Sequence, residues 1–321
     1  MAATTSADGN PMSVSLSCSV WRMKKLLTSL PLAATLMIGL TGCSPVDTVV
    51  DIVGPRPNPE IMTLAKQAAA DGAGDSAFSD LRRMHAEQLQ SEAIRLCGTN
   101  PEGEAPSSCD VSFDEQALPP TESIADLVAA TAVVVAQLPA ESVDLVVAQA
   151  IDAAALEPVH LGAQEQPTDW PGSEVAADAE GAAAMLEREY ALSYALGVAR
   201  AYADPPLRER IDAVQESSTE RVEAVSRFIE AGTIVADPVP DPNVSPVAAP
   251  ADEGAPQPLP APAAGYEFPE GPGPTSAAEA AQVVERLQRD LVDQWRITAA
   301  SANNEPWRRL AIWLAAHAQR T

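Results

Sequence analysis

Apolar residues recur along this chain at steps of three and four. Ile124, Leu127, Val128, Thr131, Val135 and Leu138 form one series, and Ile211, Val214, Ser218, Val222, Val225 and Ile229 form a second. Val284, Leu287, Leu291, Trp295 and Thr298 form a third. A turn of about 100° per residue puts each series on one face of a helix. The pattern predicts helices over 60–71, 78–97, 121–138 and 140–156, then over 177–203, 206–231, 276–302 and 306–319. Ala, Leu, Val, Glu and Gln dominate these stretches and aromatic residues are few, so the expected fold class is all-α. The punctuation agrees. Thr121 follows Pro119-Pro120 as an N-cap candidate, Pro139 separates two helices, and Pro205-Pro206 makes a hairpin corner. Ser276 and Glu279 have the spacing of a capping box, and Pro306 stands where a helix can begin.

The last four helices, joined by short turns and one long crossover, have a ferritin-like layout. The crossover, with its Pro- and Ala-rich loop at 235–264, lacks the apolar content to order itself. A di-metal enzyme on this layout needs inward Glu residues and Glu-x-x-His pairs. Here Glu216, Glu220 and Glu223 fall opposite the apolar stripe of their helix, and Asp290 and Asp293 fall off theirs. Glu187 and Glu189 flank a stripe formed by Leu186, Tyr190, Ser193 and Gly197. Beyond Cys43, His85, His160 and His317 lie far apart. No cofactor is expected. On helix 78–97, His85 and Glu92 share the face of Phe78, Leu81, Leu89 and Leu96. The plain reading is a hydrogen-bonded buried pair or a partly exposed rim; the sharper one has both, with Glu189 from the second half, ringing a small polar pocket able to hold a metal. No Gly-x-Ser-x-Gly turn, Walker loop or dinucleotide fingerprint is present, so no catalytic residue is expected.

The N-terminal stretch carries an address. Arg22, Lys24 and Lys25 precede the apolar run Leu26–Leu40, which ends in Leu40-Thr41-Gly42-Cys43. Interrupted by Pro31, that run falls short of the roughly 20 residues a spanning helix requires. Met23–Cys43 resembles a bacterial lipoprotein signal, which implies cleavage before Cys43 and diacylglycerol on its sulfur. Residues 1–42 are then a signal peptide, with translation expected to start at Met23 or Met12 so that 1–22 are surplus. Residues 43–59 become a lipidated tether stiffened by Pro55, Pro57 and Pro59. The implied location is the outer face of the cell membrane.

Charge and cysteine usage refine this picture. A net charge of −25 and a pI near 4.3 disfavour nucleic acid as a partner. With Cys18 in the leader and Cys43 acylated, Cys97 and Cys109 remain as an even pair in an oxidising compartment. They are expected to form a disulfide closing a polar loop, worth about 3 kcal/mol. A zinc site would need further ligands nearby, and none are there.

Residues 178–321 resemble an actinobacterial, corynebacterial-type lipoprotein family with a ferritin-like helical domain of unknown function. Leu186–Gly197 stands where that family has an acidic, an aromatic and a small residue on its first helix. Arg221 and Glu223, Gly265-Tyr266-Glu267-Phe268-Pro269 and Trp295 extend the likeness. Ser218 stands where the family often has a histidine, which weakens an inherited metal role. The Cys97–Cys109 segment resembles the N-terminal extension of such members. The expected whole is an all-α protein. It has a helical N-terminal region at 60–157 with a disulfide loop, and a ferritin-like four-helix bundle at 175–321. It would act as a non-enzymatic binding or scaffolding component of the cell envelope, with a protein partner there. The competing expectation is a divergent metal-dependent ferritin-like oxidoreductase.

Overall fold

A computed structural model describes residues 54–100, 102–113, 118–163, 174–234, 259–268 and 273–321. The signal peptide, Cys43 and residues 235–258 of the Pro/Ala-rich loop lie outside the described residues. All regular structure among those described is helical, as the periodicity predicts. The helices are α1 (Pro59–Asp71), α2 (Ala77–Cys97), α3 (Ile124–Val134), α4 (Ala140–Ala154), α5 (Glu174–Arg200), α6 (Pro205–Ile234), α7 (Ala277–Ser301) and α8 (Glu305–Arg320).

Local chemistry sets the ends. The side chains of Asn58, Ser76, Ser123, Ser276 and Asn304 each accept a backbone N–H from the first turn of the helix that follows. α3 therefore starts from Ser123, not from Thr121. Thr121 is drawn off by a stronger acceptor: its N–H and hydroxyl donate to the buried Asp71 carboxylate at 2.7 and 3.1 Å. Glu279 completes the cap of α7 through Thr275, whose N–H and hydroxyl both reach it at 2.8 Å. α2 ends at Gly98, whose φ of +78° suits a residue without Cβ.

α5 packs against α6 and α7, and α8 packs against the same two, so the four helices close a ring. α8 is the most enclosed of them. Every residue from Trp307 to Ala316 is buried except the half-exposed Arg309, because α3 and α4 cover the side of α8 that the ring leaves open. Ala311, Ala315, Ala316 and Ala318 give neighbouring helices room to approach. Trp313, which leaves the Trp307–Leu310–Leu314–Ala318 line, is buried as well. Phe228, Trp295 and Trp307 fill the ring, with centroids 4.3 Å apart for Phe228–Trp307 and 6.4 Å for Trp295–Trp307. One apolar cluster runs from Ile124 to Ala318 and takes in α3 and α4 with the ring. A smaller one joins Ile61, Ala65, Leu89 and Ala93 of the α1–α2 hairpin to Val146 of α4. Cys97 and Cys109 are joined by a disulfide, Cα to Cα 6.2 Å.

Candidate functional site

Within this apolar interior the ring encloses a buried polar network. Glu189 of α5 is fully buried, and α6 and α7 both send donors to it. Arg221 Nε reaches one carboxylate oxygen at 2.6 Å and Arg221 Nη2 the other at 3.2 Å. Ser218 Oγ donates at 2.6 Å and Trp295 Nε1 at 2.9 Å. The guanidinium forks onto the carboxylate as a buried salt bridge, and Ser218 and Trp295 fill its remaining acceptor positions.

The fourth helix completes the network through His317. Arg221 Nη1 lies 2.6 Å from Ser217 Oγ and 3.3 Å from His317 Nδ1. A guanidinium is only a donor, so Nδ1 must accept and the proton of the neutral ring sits on Nε2. Nε2 then donates to Glu220 at 3.0 Å. Burial first, and the Arg221 charge second, hold the His317 pKa below its ordinary value, while Glu220 pulls the other way. Ser217, His317 and Glu220 have the residue types of a nucleophile, base and orienting acid. Ser217 Oγ, however, has Arg221, His317 and Thr321 as partners, the last at 2.7 Å. The Ser217 hydroxyl is thus one member of a shared network, in which the Thr321 hydroxyl also donates to the His317 carbonyl at 3.1 Å.

α2 carries the other expected candidates. His85 and Glu92 are both buried, as the stripe predicts. They are not partnered with each other. Arg82 Nη1 approaches His85 Nδ1 at 3.3 Å, and Arg82 Nε donates to Asp71 at 3.0 Å. Burial, reinforced by the Arg82 charge, pushes the His85 pKa down to about 4. Glu92 takes two bonds from Arg95, at 2.7 and 2.6 Å, and one from Ser142 at 2.5 Å. Arg95 and Ser142 keep its pKa below the usual carboxylate value against the desolvation that would raise it. His85, Glu92 and Glu189 thus sit in three separate networks, each with an arginine. Among the described residues no three His, Cys, Asp or Glu groups stand where they could hold a metal ion. The shared polar pocket is not formed, because arginines on the same helix or the next one reach these carboxylates and this imidazole first.

The face of α5 differs from the expected one. Ser193 and Gly197 are exposed, and the buried face is Ala182, Met185, Leu186, Glu189, Leu192 and Leu196. Met185, Leu192 and Leu196 bury more apolar area than a Ser and a Gly can, and that rotates the helix until Glu189 points inward. Arg221 falls on the three- and four-residue steps Val214–Ser218–Arg221–Val225–Phe228, a signal legible in the sequence but masked by the usual surface preference of arginine. Glu216, Glu220, Glu223, Asp290 and Asp293 are exposed, as predicted. Two further buried groups fasten the helices. Asp178 accepts the N–H groups of Asn303 and Asn304 at 2.8 and 2.9 Å together with both of their side-chain amides. Arg308 donates to the carbonyls of Ala132, at 2.8 Å, and Ala302.

Comparison of the chain with protein-family models, with curated proteins and with solved structures finds no match.

Proposed function

We propose that this is an extracytoplasmic lipoprotein, anchored to the outer face of the membrane through Cys43, whose helical body is a non-enzymatic binding or scaffolding element of the cell envelope. The observation that carries the non-enzymatic part is the Glu189–Arg221 pair. In a ferritin-like metal enzyme, carboxylates and histidines from four helices converge on metal ions. Here four helices also converge, with Glu189 from α5, Arg221 and Ser218 from α6, Trp295 from α7 and His317 from α8. The positive charge that neutralises the carboxylate belongs to the chain itself. The packing of α5 and α8 each on α6 and α7, with the long connection between α6 and α7, supports reading the ring as a ferritin-like bundle.

The lipid anchor rests on Met23–Cys43. From Cys43 to Pro55 the chain reaches at most about 40 Å. Ser108 Oγ donates to the Pro55 carbonyl at 2.8 Å, which pins the start of the body to the disulfide loop.

The test has two readouts. Cells grown with a clickable palmitate analogue should yield a labelled chain, and Cys43→Ser should abolish the label; label persisting in Cys43→Ser refutes the anchor. Purified protein should contain no stoichiometric Fe, Mn or Zn, and adding these metals should not raise its melting temperature. Stoichiometric uptake with a gain in stability replaces this reading with the metal-dependent oxidoreductase.

A further inference from the structure

Between α5 and α7, and covered by the strap 265–268, lies a pocket of about 190 Å³. A cavity of about 150 Å³ can hold benzene, so the space suits a ligand of some seven to ten non-hydrogen atoms. Its floor is apolar, with Leu192 from α5 and Leu291 from α7. Three rings line it: Tyr194, Tyr266 and Phe268. This is a concentration of aromatics in a chain with only four Tyr and four Phe.

The wall is constructed. Tyr266 Oη accepts the Ala263 N–H at 3.0 Å, which folds the strap back and fixes that ring. The Tyr194 and Tyr266 centroids are 5.6 Å apart with planes inclined at 54°, so the rings form two sides of a corner. Phe268 is seated against Gly273, where a Cβ would come within 3.1 Å of its ring and 3.4 Å of Val198. Tyr194 remains 39% exposed toward the opening.

The charge on the rim selects the ligand. Glu267 and Asp290 outnumber Arg188, and the whole chain carries −25. The faces of aromatic rings attract cations, most strongly where water is excluded. We propose that this pocket binds a small organic cation with an apolar body, of the alkylammonium or quaternary ammonium class. Its methyl groups would rest on the leucine floor and its charge would lie between the Tyr194–Tyr266 corner and the two carboxylates. This names a ligand for the binding role above but does not depend on the lipid, so its failure leaves the labelling of Cys43 untouched.

The experiment is isothermal titration of the purified full chain with three molecules of one shape. They are choline, its neutral isostere neohexyl alcohol, and the anion tert-butylacetate. Choline should saturate at millimolar concentration or below, at least about tenfold tighter than the alcohol, with no measurable binding of the anion. Asp290→Asn, on an exposed side chain, and Tyr266→Ala should each weaken choline about fivefold or more, with circular dichroism unchanged. Equal affinity for the alcohol, preference for the anion, absence of saturation by choline, or full affinity in Asp290→Asn overturns the proposal. Asp290→Asn decides the matter even where Tyr266→Ala disturbs the strap.

Discussion

Replacing Arg221 by Met removes the only cation that ion-pairs with Glu189 among the described residues and leaves a carboxylate with Ser218 and Trp295 as its remaining donors there. The side chains of the pair are 1% and 0% exposed, so solvent cannot take over. Breaking a buried ion pair from one side costs about 3–5 kcal/mol, because the surviving charge stays desolvated. In a body of this size that lowers the melting temperature by roughly 10 °C. The double variant Glu189→Gln/Arg221→Met removes both charges while keeping an acceptor for Ser218 and Trp295, and should recover at least half of the loss. The assay is urea denaturation followed by far-UV circular dichroism and tryptophan fluorescence, Trp295 reporting on the site directly. A cost below about 1 kcal/mol for Arg221→Met, or simple additivity of the two single variants, would refute the claim that the centre of the ring is a closed ion pair.

Other consequences follow from the remaining networks. The folded pKa of His85 is about 4, against 6.5 when unperturbed, so on acidification the unfolded chain binds the proton first. The stability it contributes is intact above pH 6.5 and is lost as the pH falls toward 4, by at most about 3 kcal/mol. His317 is shifted the same way and adds to the trend. His85→Gln should flatten the decline between pH 6.5 and 4 in thermal melts, and a slope identical to wild type refutes the assignment. Cys97→Ser/Cys109→Ser opens a link spanning 12 residues and should cost about 3 kcal/mol in the same urea assay, an effect that reductant reproduces in wild type. Asp178→Ala deprives two backbone N–H groups and two amides at the α7–α8 turn of their acceptor. It should destabilise by about 2 kcal/mol or more and raise amide exchange at Asn303 and Asn304; unchanged exchange there counts against that role.

What the sequence determined by itself is local. The apolar steps of three and four located all eight α-helices among the described residues, and prolines with Ser and Asn caps set the ends to within a few residues, because periodicity and capping depend on neighbours along the chain. The inward position of His85 and Glu92 was legible for the same reason, since one face of one helix can be read from its spacing. Tertiary structure decided which face of α5 turns inward, since Ser193 and Gly197 lose to Met185, Leu192 and Leu196 only when α6 and α7 are present to be packed against. It also decided that Arg221 is buried, that α3 and α4 enclose α8, and that Thr121 serves Asp71, 50 residues away, and not its own helix. Charge pairing across helices depends on distances that no stretch of sequence contains. A carboxylate that spacing offers as a metal ligand becomes the counterion of an arginine once the fold brings the two within 2.6 Å.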